Sequence, residues 1–537
     1  MTQLTSAKLR RLMFLLLPTL TLVLADAHAQ PGKKKDNTTV PTAKAEPGLP
    51  DSVIRNFNWR CVGPANMSGR ITAFAVYEAD PSCYWVASAS GGLVKTINNG
   101  ITFEHQFDKE ATVSIGDVAV APSDRNIVWV GTGEANPRNS VSYGDGVYKS
   151  TDGGKTWKNM GLKATFQIGK ILIHPTNPNI VYVGALGRCY GPNAERGLFK
   201  TTDGGQSWTK IFYKDDKTGV IDMAMHPSDP NTILVAMYER LRDGHDRYLG
   251  KGLPEPYDAY DPIVRFGANA GIYKTTDGGK SFAKMTDGLP TCKLGRIGLD
   301  YHRKDPNIVY AVVDCENIGK GNPGKKDVGP DDKKKIDVPA EEEAPQMGGG
   351  GGKGGSAGRP HQSTYGGQAP NVQDQQGPNG WDYGGVYRSE DGGKTWKRVN
   401  SLNPRPMYFS VVKVDPLQDN FVYVLGVSQH KSKDGGKTFT GDAGKGVHSD
   451  GHAMWINPKD GRHILIGCDG GWYVSYDRTV NWDHLNNMAL GQYYHVAMCN
   501  KQPYWLYGGL QDNGTWGIPS VGLKGRGPIN EDVVSVG

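Results

Sequence analysis

Four carboxylates and two imidazoles hold most of the chemistry this sequence could perform. Glu134, Asp450, Asp469 and Asp512 each stand in a short, polar, glycine-containing segment. These segments are Gly131-Thr-Gly-Glu134-Ala-Asn136-Pro-Arg138-Asn139, Val447-His448-Ser-Asp450-Gly-His452, Cys468-Asp469-Gly-Gly471 and Gln511-Asp512-Asn513-Gly514. Two carboxyls flanking a glycosidic bond, one as acid and one as base or nucleophile, are what glycoside hydrolysis requires. These four are therefore the catalytic candidates, set against the plainer reading that Glu134 pairs with an arginine to fix its loop. His448, Asp450 and His452 alternate with period two, which puts them on one side of a strand. Such a trio could hold a divalent metal, although the same spacing also serves as a hydrogen-bonded cluster between neighbouring elements. Arg70, Asn136, Arg138, Gln511 and Asn513 complete the candidate ligand-binding set with Glu134, His448, Asp450, His452 and Asp512. No cofactor is expected.

The elements that must position these groups are repeated. An eight-residue turn, Ser/Thr-x-Asp-x-Gly-x-Thr/Ser-aromatic, occurs at Ser150–Trp157, Thr201–Trp208, Thr275–Phe282, Ser389–Trp396 and Ser432–Phe439. Two degenerate copies flank them: Thr96–Phe103, with Asn98 at the aspartate position, and Ser475–Trp482, which keeps Asp477 but has Thr479 for glycine. The aspartates (Asp152, Asp203, Asp277, Asp391, Asp434 and Asp477) are suited to accept hydrogen bonds from their own turn, and the glycines supply backbone conformations closed to larger residues. Every part of the motif has a structural task, so these carboxylates are assigned to structure and not to catalysis.

Each copy follows apolar strand-like runs, as at Ile115–Pro122, Ile127–Val130 and Gly146–Lys149 before Ser150. Four short antiparallel strands per unit of about 45 residues is the signature of a propeller blade. The expected fold is all-β: a β-propeller of four-stranded antiparallel blades, seven full and a partial eighth. The eighth second strand, Tyr504–Tyr507, leads to Gly514-Thr-Trp516 with no following fourth strand before Gly537. Either the sequence is a piece of a longer protein, or the first blade closes with the C-terminal residues. Alternating strand direction puts the repeated turns on one face and the second-to-third-strand (B–C) loops on the other. Long, irregular B–C connections, Gly131–Gly146, Ala185–Gly197 and Tyr238–Gly271, mark the latter as the binding face.

Residues 1–29 read as a signal peptide: Lys8, Arg10 and Arg11, an apolar run from Leu12 to Leu24, then Ala27-His28-Ala29, with cleavage expected after Ala29. A leader at 30–52 precedes the propeller at 53–537. Residues 316–380, with five consecutive glycines at 348–352, should be a disordered low-complexity insertion. A secreted or periplasmic protein with no membrane insertion after cleavage is expected. The net charge of +6 is small for 537 residues and gathers no basic stripe, which argues against nucleic acid. Seven widely spaced cysteines form no C-x-x-C motif; a Cys61–Cys83 bridge is conceivable.

Over residues 55–520 the sequence resembles the Asp-box (BNR) repeat propellers, and most closely the bacterial sortilin type. The residues that carry the resemblance are Val62-Gly-Pro-Ala-Asn-Met-Ser-Gly-Arg70, Gly131–Asn139 and Gly508–Trp516. It implies a protein-, peptide- or glycan-binding module. Xyloglucanase-like glycoside hydrolases share the box more distantly and imply a polysaccharide-cleaving carboxylate pair. The corresponding early segment here, Ala87–Lys95, has no acidic residue. Sialidases need an early Arg-Ile-Pro, and here Arg70-Ile71 is followed by Thr72.

Overall fold

The structure is a computed structural model and describes residues 50–54, 69–137, 141–242, 264–317, 380–522 and 528–537. The single helical turn Asp51–Ile54 belongs to a separate unit, residues 1–60. The signal and leader expectations at 1–49, and most of the 316–380 insertion, lie outside the described residues.

The remainder is built of eight antiparallel sheets, in which strands follow one another in space as in sequence. Blade 1 runs Ile71–Val76, Tyr84–Ser88, Leu93–Thr96 and Glu104–His105. Blade 2 runs Ile115–Ala121, Asp124–Thr132, Val147–Ser150 and Lys158–Asn159. The β-branched and aromatic second strands are the most buried, as at Val128, Trp129 and Val130, because both of their faces pack on neighbouring blades. Blade 6 has three strands, and its fourth position shrinks to a bridge between Lys431 and Thr440.

The repeated turn explains the regularity. In blade 2, Ser150 Oγ donates to Asp152 Oδ1 (2.8 Å) and accepts from Gly154 N (2.7 Å). Asp152 then accepts from Thr156 N (2.9 Å) and Thr156 Oγ1 (2.6 Å). Gly153 and Gly154 sit at φ 73° and 93°, where a side chain is strained. The Gly153 amide donates to Asn126 O, so the box shares a face with the first-to-second-strand (A–B) turn, as expected. The degenerate copies keep the geometry: Asn98 Oδ1 accepts from Thr102 N (2.9 Å), and Thr479 adopts φ 69° in place of glycine.

Adjacent blades are cross-linked by polar staples. The third-strand lysines reach the next box: Lys95 Nζ donates to Gly153 O (2.8 Å), Lys149 to Gly204 O (3.0 Å) and Lys200 to Gly278 O (2.7 Å). Around the axis, Asp117 accepts from Ile171 N (2.7 Å), Asp222 from Leu299 N (2.9 Å) and Asp300 from Val414 N (2.9 Å). Each tethers one inner strand to the next.

Blades 1 to 7 close a ring. Blade 1 packs directly on blade 7, where Ile71, Tyr84, Val86 and Val94 meet Leu465, Trp472 and Val474 in one apolar cluster. The first blade is therefore made of its own four strands, and the alternative in which it is completed by C-terminal residues does not hold. Those residues instead give the eighth sheet a fourth strand, Val534–Ser535, paired with Trp516 and Gly517. Two residues with no turn motif before them left no signal in the sequence. The first strand of that sheet, Tyr493–Met498, is exposed along its whole length. Cys83 is a free, buried thiol, and Cys61, its conceivable partner, lies outside the described residues.

Candidate functional site

On the B–C face the sequence candidates converge into one buried polar layer at the top of the ring axis. Arg70, immediately before the first strand of blade 1, grips Glu134 from the blade 2 loop through Nε to Oε1 and Nη2 to Oε2, both 2.9 Å. The two side chains are 2% and 1% exposed, so this is a fully desolvated pair. Arg70 Nη1 also donates to Gln511 Oε1, from the eighth sheet. Gln511 Nε2 donates to Asp469 Oδ2 (2.8 Å), and His452 Nε2 donates to Asp469 Oδ1 (2.7 Å). On the other side of the His452 ring, Asn136 Nδ2 lies 3.4 Å from Nδ1, and Asn136 Oδ1 accepts from Arg296 Nη1 (2.9 Å). Blades 1, 2, 5 and 7 and the eighth sheet thus share one chain of hydrogen bonds.

The electrostatics follow from burial offset by partners. Burial alone would push the Asp469 carboxyl up, but His452 and Arg70 outweigh it and hold Asp469 far below the usual carboxylate range. Burial opposes the charge on Arg70 as well, yet Glu134 overcomes it and raises the guanidinium pKa. Arg296 has no carboxylate in contact, and burial brings it down to about 10.

The remaining candidates form a rim. Asp450 is pushed up, first by burial and then by the negative charge of Asp469. Its Oδ1 is buried and has no hydrogen-bond partner. Asp512 is exposed, and its Oδ2 takes a contact from Gln511 Nε2. Asn513 Nδ2 donates to Asp469 O (3.0 Å) and Gln511 O (2.8 Å), which fixes the short loop. His448 turns away, its ring nitrogens facing Ser449 O (2.9 Å) and Asp512 O (3.1 Å). The expected His448–Asp450–His452 trio is therefore not assembled. Asp450 sits at φ 65° before the strand begins at Gly451, which breaks the alternation that the spacing implied. The carboxylates that come within 4.8 Å of one another are Asp450, Asp469 and Asp512. Arg138 lies outside the described residues.

Several buried arginines went unnoticed in the sequence. Arg240 reaches Gln167 Oε1 and Cys189 Sγ, Arg242 donates to Pro137 O (2.9 Å), and Arg265 pairs with Asp314 (3.0 Å). Arg240 follows the strand Asp229–Glu239, in which Thr232 to Tyr238 are buried without interruption, so no alternation in the sequence singled it out. Beneath the layer lies an axial cavity of about 260 Å3, lined by Asn136, Arg296 and His452 above and Asp117, Lys170 and Lys413 below. At the opposite face, a cavity of about 510 Å3 is bridged by the Arg303–Glu78 pair, 2.7 Å in both contacts.

Ring, box and stapled blades define an Asp-box β-propeller. Within that class, residues 145–326 match the family model of Sortilin-Vps10 (sortilin, neurotensin receptor 3). Among curated proteins, the "Probable oligoxyloglucan-reducing end-specific xyloglucanase" of Neosartorya fischeri is 32% identical over 103 residues, 18% of this chain and 10% of that protein. Among solved structures, the GH74 xyloglucanase of Xanthomonas campestris superposes with a TM-score of 0.51 at 14% identity, covering 84% of this chain and 59% of that enzyme. The GH74 enzyme of Niastella koreensis gives 0.49 at 17% identity, covering 84% and 60%. The chain thus spans less than two thirds of each of these relatives. Among the described residues, no helix is long and apolar enough to cross a membrane.

Proposed function

We propose that the chain is an exported binding propeller that engages a protein, peptide or glycan through its B–C face. The observation that carries this reading is the internal use of the best carboxylates. Glu134 is committed to Arg70 and Asp469 to His452 and Gln511, all buried. A carboxylate held in such a pair neither reaches a substrate nor exchanges protons freely. The same face offers contact groups of another kind: Tyr143, Tyr190 and Trp381, on B–C loops, are 71%, 43% and 46% exposed. Exposed aromatics are a common currency of protein and glycan recognition. The test is a binding screen of the purified chain against glycan and peptide arrays, followed by titration of any hit with Tyr143→Ala and Trp381→Ala. Loss of affinity in both supports the reading; unchanged affinity places the ligand elsewhere and sinks it.

One observation favours glycoside hydrolysis instead. Asp450 is shifted up and Asp469 down, and an acid–base pair needs its two carboxyls driven apart in this way. On that reading Asp450 is the acid and Asp469 or Asp512 its partner. Turnover of a polysaccharide that Asp450→Asn and Asp512→Asn abolish would establish it, and absence of turnover on any polymer would remove it.

A further inference from the structure

Six described cysteines are free thiols, and five of them lie in or beside different blades. Cys292 and Cys315 are the pair that meets. Cys315 ends the buried second strand of blade 5, Val309–Cys315, directly opposite Leu294 in the first strand. Cys292 lies two residues before Leu294, in the bend that leads into the first strand. Cys292 packs against the apolar cluster that contains Cys315. The backbone continues the pairing outward, with Glu316 N donating to Lys293 O (3.1 Å).

Above this pair is a carboxylate clasp. Asp382 Oδ1 accepts from Thr291 N (2.6 Å) and Thr291 Oγ1 (2.8 Å), and Asp382 Oδ2 accepts from Asn317 Nδ2 (2.8 Å). Asn317 is where the chain leaves the blade for the glycine-rich segment, and Asp382 is where it has just returned. The two ends of that segment and the start of the first strand are therefore gathered over two adjacent thiols.

We propose that Cys292 and Cys315 are a disulfide site that pins the root of the 316–380 insertion to blade 5. Cys292 is half-buried and is the attacking group; Cys315 is fully buried and resolves. The Cys292 thiol pKa is held below its ordinary value by the Cys315 thiol and by the Asn317 amide, in spite of burial, whereas burial pushes Cys315 well up. A depressed pKa beside a resolving thiol is the arrangement that thiol–disulfide exchange uses. The Cys292 thiolate attacks a small-molecule or protein disulfide, RSSR, forming Cys292–S–SR and releasing RS−. Cys315 then loses its proton and displaces the second RS−, leaving one intramolecular S–S bond and two RSH. Two protein thiols are oxidised and one external disulfide is reduced. Formation in the cell rests on the export reading above, because cytosolic thiols are kept reduced.

The experiment treats the purified full chain with oxidised glutathione, alkylates remaining thiols and maps peptides by mass spectrometry without reduction. The expected result is a cross-linked peptide joining Cys292 to Cys315, two alkylations fewer than in the reduced chain, and a Tm that rises on oxidation and falls back with reductant. Cys292→Ser should abolish the cross-link and the Tm shift while keeping the fold, since that side chain is only partly buried. Full alkylation of both cysteines after oxidation, or a glutathione adduct on Cys292 that persists, overturns the proposal. Fractionation of cells separates the two readings. A chain retained in the cytoplasm that bridges in vitro refutes export alone, and an exported chain with both thiols alkylated refutes the disulfide.

Discussion

At the scale of single residues, the site is governed by how burial is offset. Arg70 and Glu134 are desolvated together, and removing one partner strands the other. Breaking a buried pair costs about 3–5 kcal/mol, whereas replacing both partners with apolar groups costs much less. Glu134→Gln should therefore lower stability in urea by roughly 3 kcal/mol, and the double variant Arg70→Met/Glu134→Met should recover part of it. A loss under about 1 kcal/mol for the single variant would mean that the pair is hydrated. His430 presents the opposite case. It is buried in the third strand of blade 6, its Nδ1 has no hydrogen-bond partner, and burial lowers its pKa to about 4. The unfolded chain takes up that proton near pH 6.5 and the folded chain only near 4. The folded state thus loses stability as pH falls through this window, by about 3 kcal/mol at the acid end. His430→Leu should flatten that part of the stability–pH curve, as followed by urea unfolding at pH 7, 5.5 and 4.5. An unchanged slope would assign the effect to other histidines.

At the scale of elements, each blade is recognisable by itself, while the links between blades are not. The turn motif and the apolar runs located the second strands but not their ends, as at Ile127–Val130, which lies inside the observed Asp124–Thr132, because a period-two pattern and a glycine-dependent turn are local properties. The lysine belt was invisible in advance. Lys95, Lys149 and Lys200 read as exposed charges in sequence, and their partners are carbonyls of the next blade, some 55 to 80 residues away. For the same reason the sequence brought Glu134, Asp469 and Gln511 to one face without showing that they satisfy one another: Arg70 and Gln511 are 441 residues apart. The inner-strand aspartates make this testable. Asp117 is buried, accepts from Ile171 N and pairs with Lys170 at 3.3 Å. Asp117→Asn keeps the size but removes the charge, and should cost about 2 kcal/mol by leaving Lys170 poorly matched. The box aspartate Asp152 is more exposed, so water competes for its hydrogen bonds, and Asp152→Ala should cost nearer 1 kcal/mol. Chemical denaturation of both variants would rank them, and a reversed order would mean that the boxes, not the axial staples, hold the blades together.

At the scale of the whole ring, stability depends on one seam. Six of the seven blade contacts join neighbours in sequence, but the contact of blade 1 with blade 7 joins segments nearly four hundred residues apart. No strand crosses it, and blade 1 and blade 7 each keep their own four strands. What closes the ring is side-chain packing of Ile71, Val86 and Val94 against Leu465, Trp472 and Val474, capped by Arg70 and its partners. Gly467 lies at the tightest point: a Cβ there would stand 2.6 Å from Ile71 Cγ2 and 2.8 Å from Ile71 Cβ. Ile71 is itself fully buried, so it has no room to yield. Gly467→Val should then force the two blades apart at a cost of about 2–3 kcal/mol, typical of overpacking a core. Because every blade is stapled to the next, the loss should spread around the ring and appear as a lower Tm for a single cooperative transition. The companion change Ile71→Ala in the Gly467→Val background makes space at the same point and should restore part of the Tm, although Ile71→Ala alone is destabilising. Calorimetry of the four proteins decides the matter. Additive losses would place the clash elsewhere, and a separate early transition for blades 1 and 7 would mean that the seam closes independently of the rest of the ring.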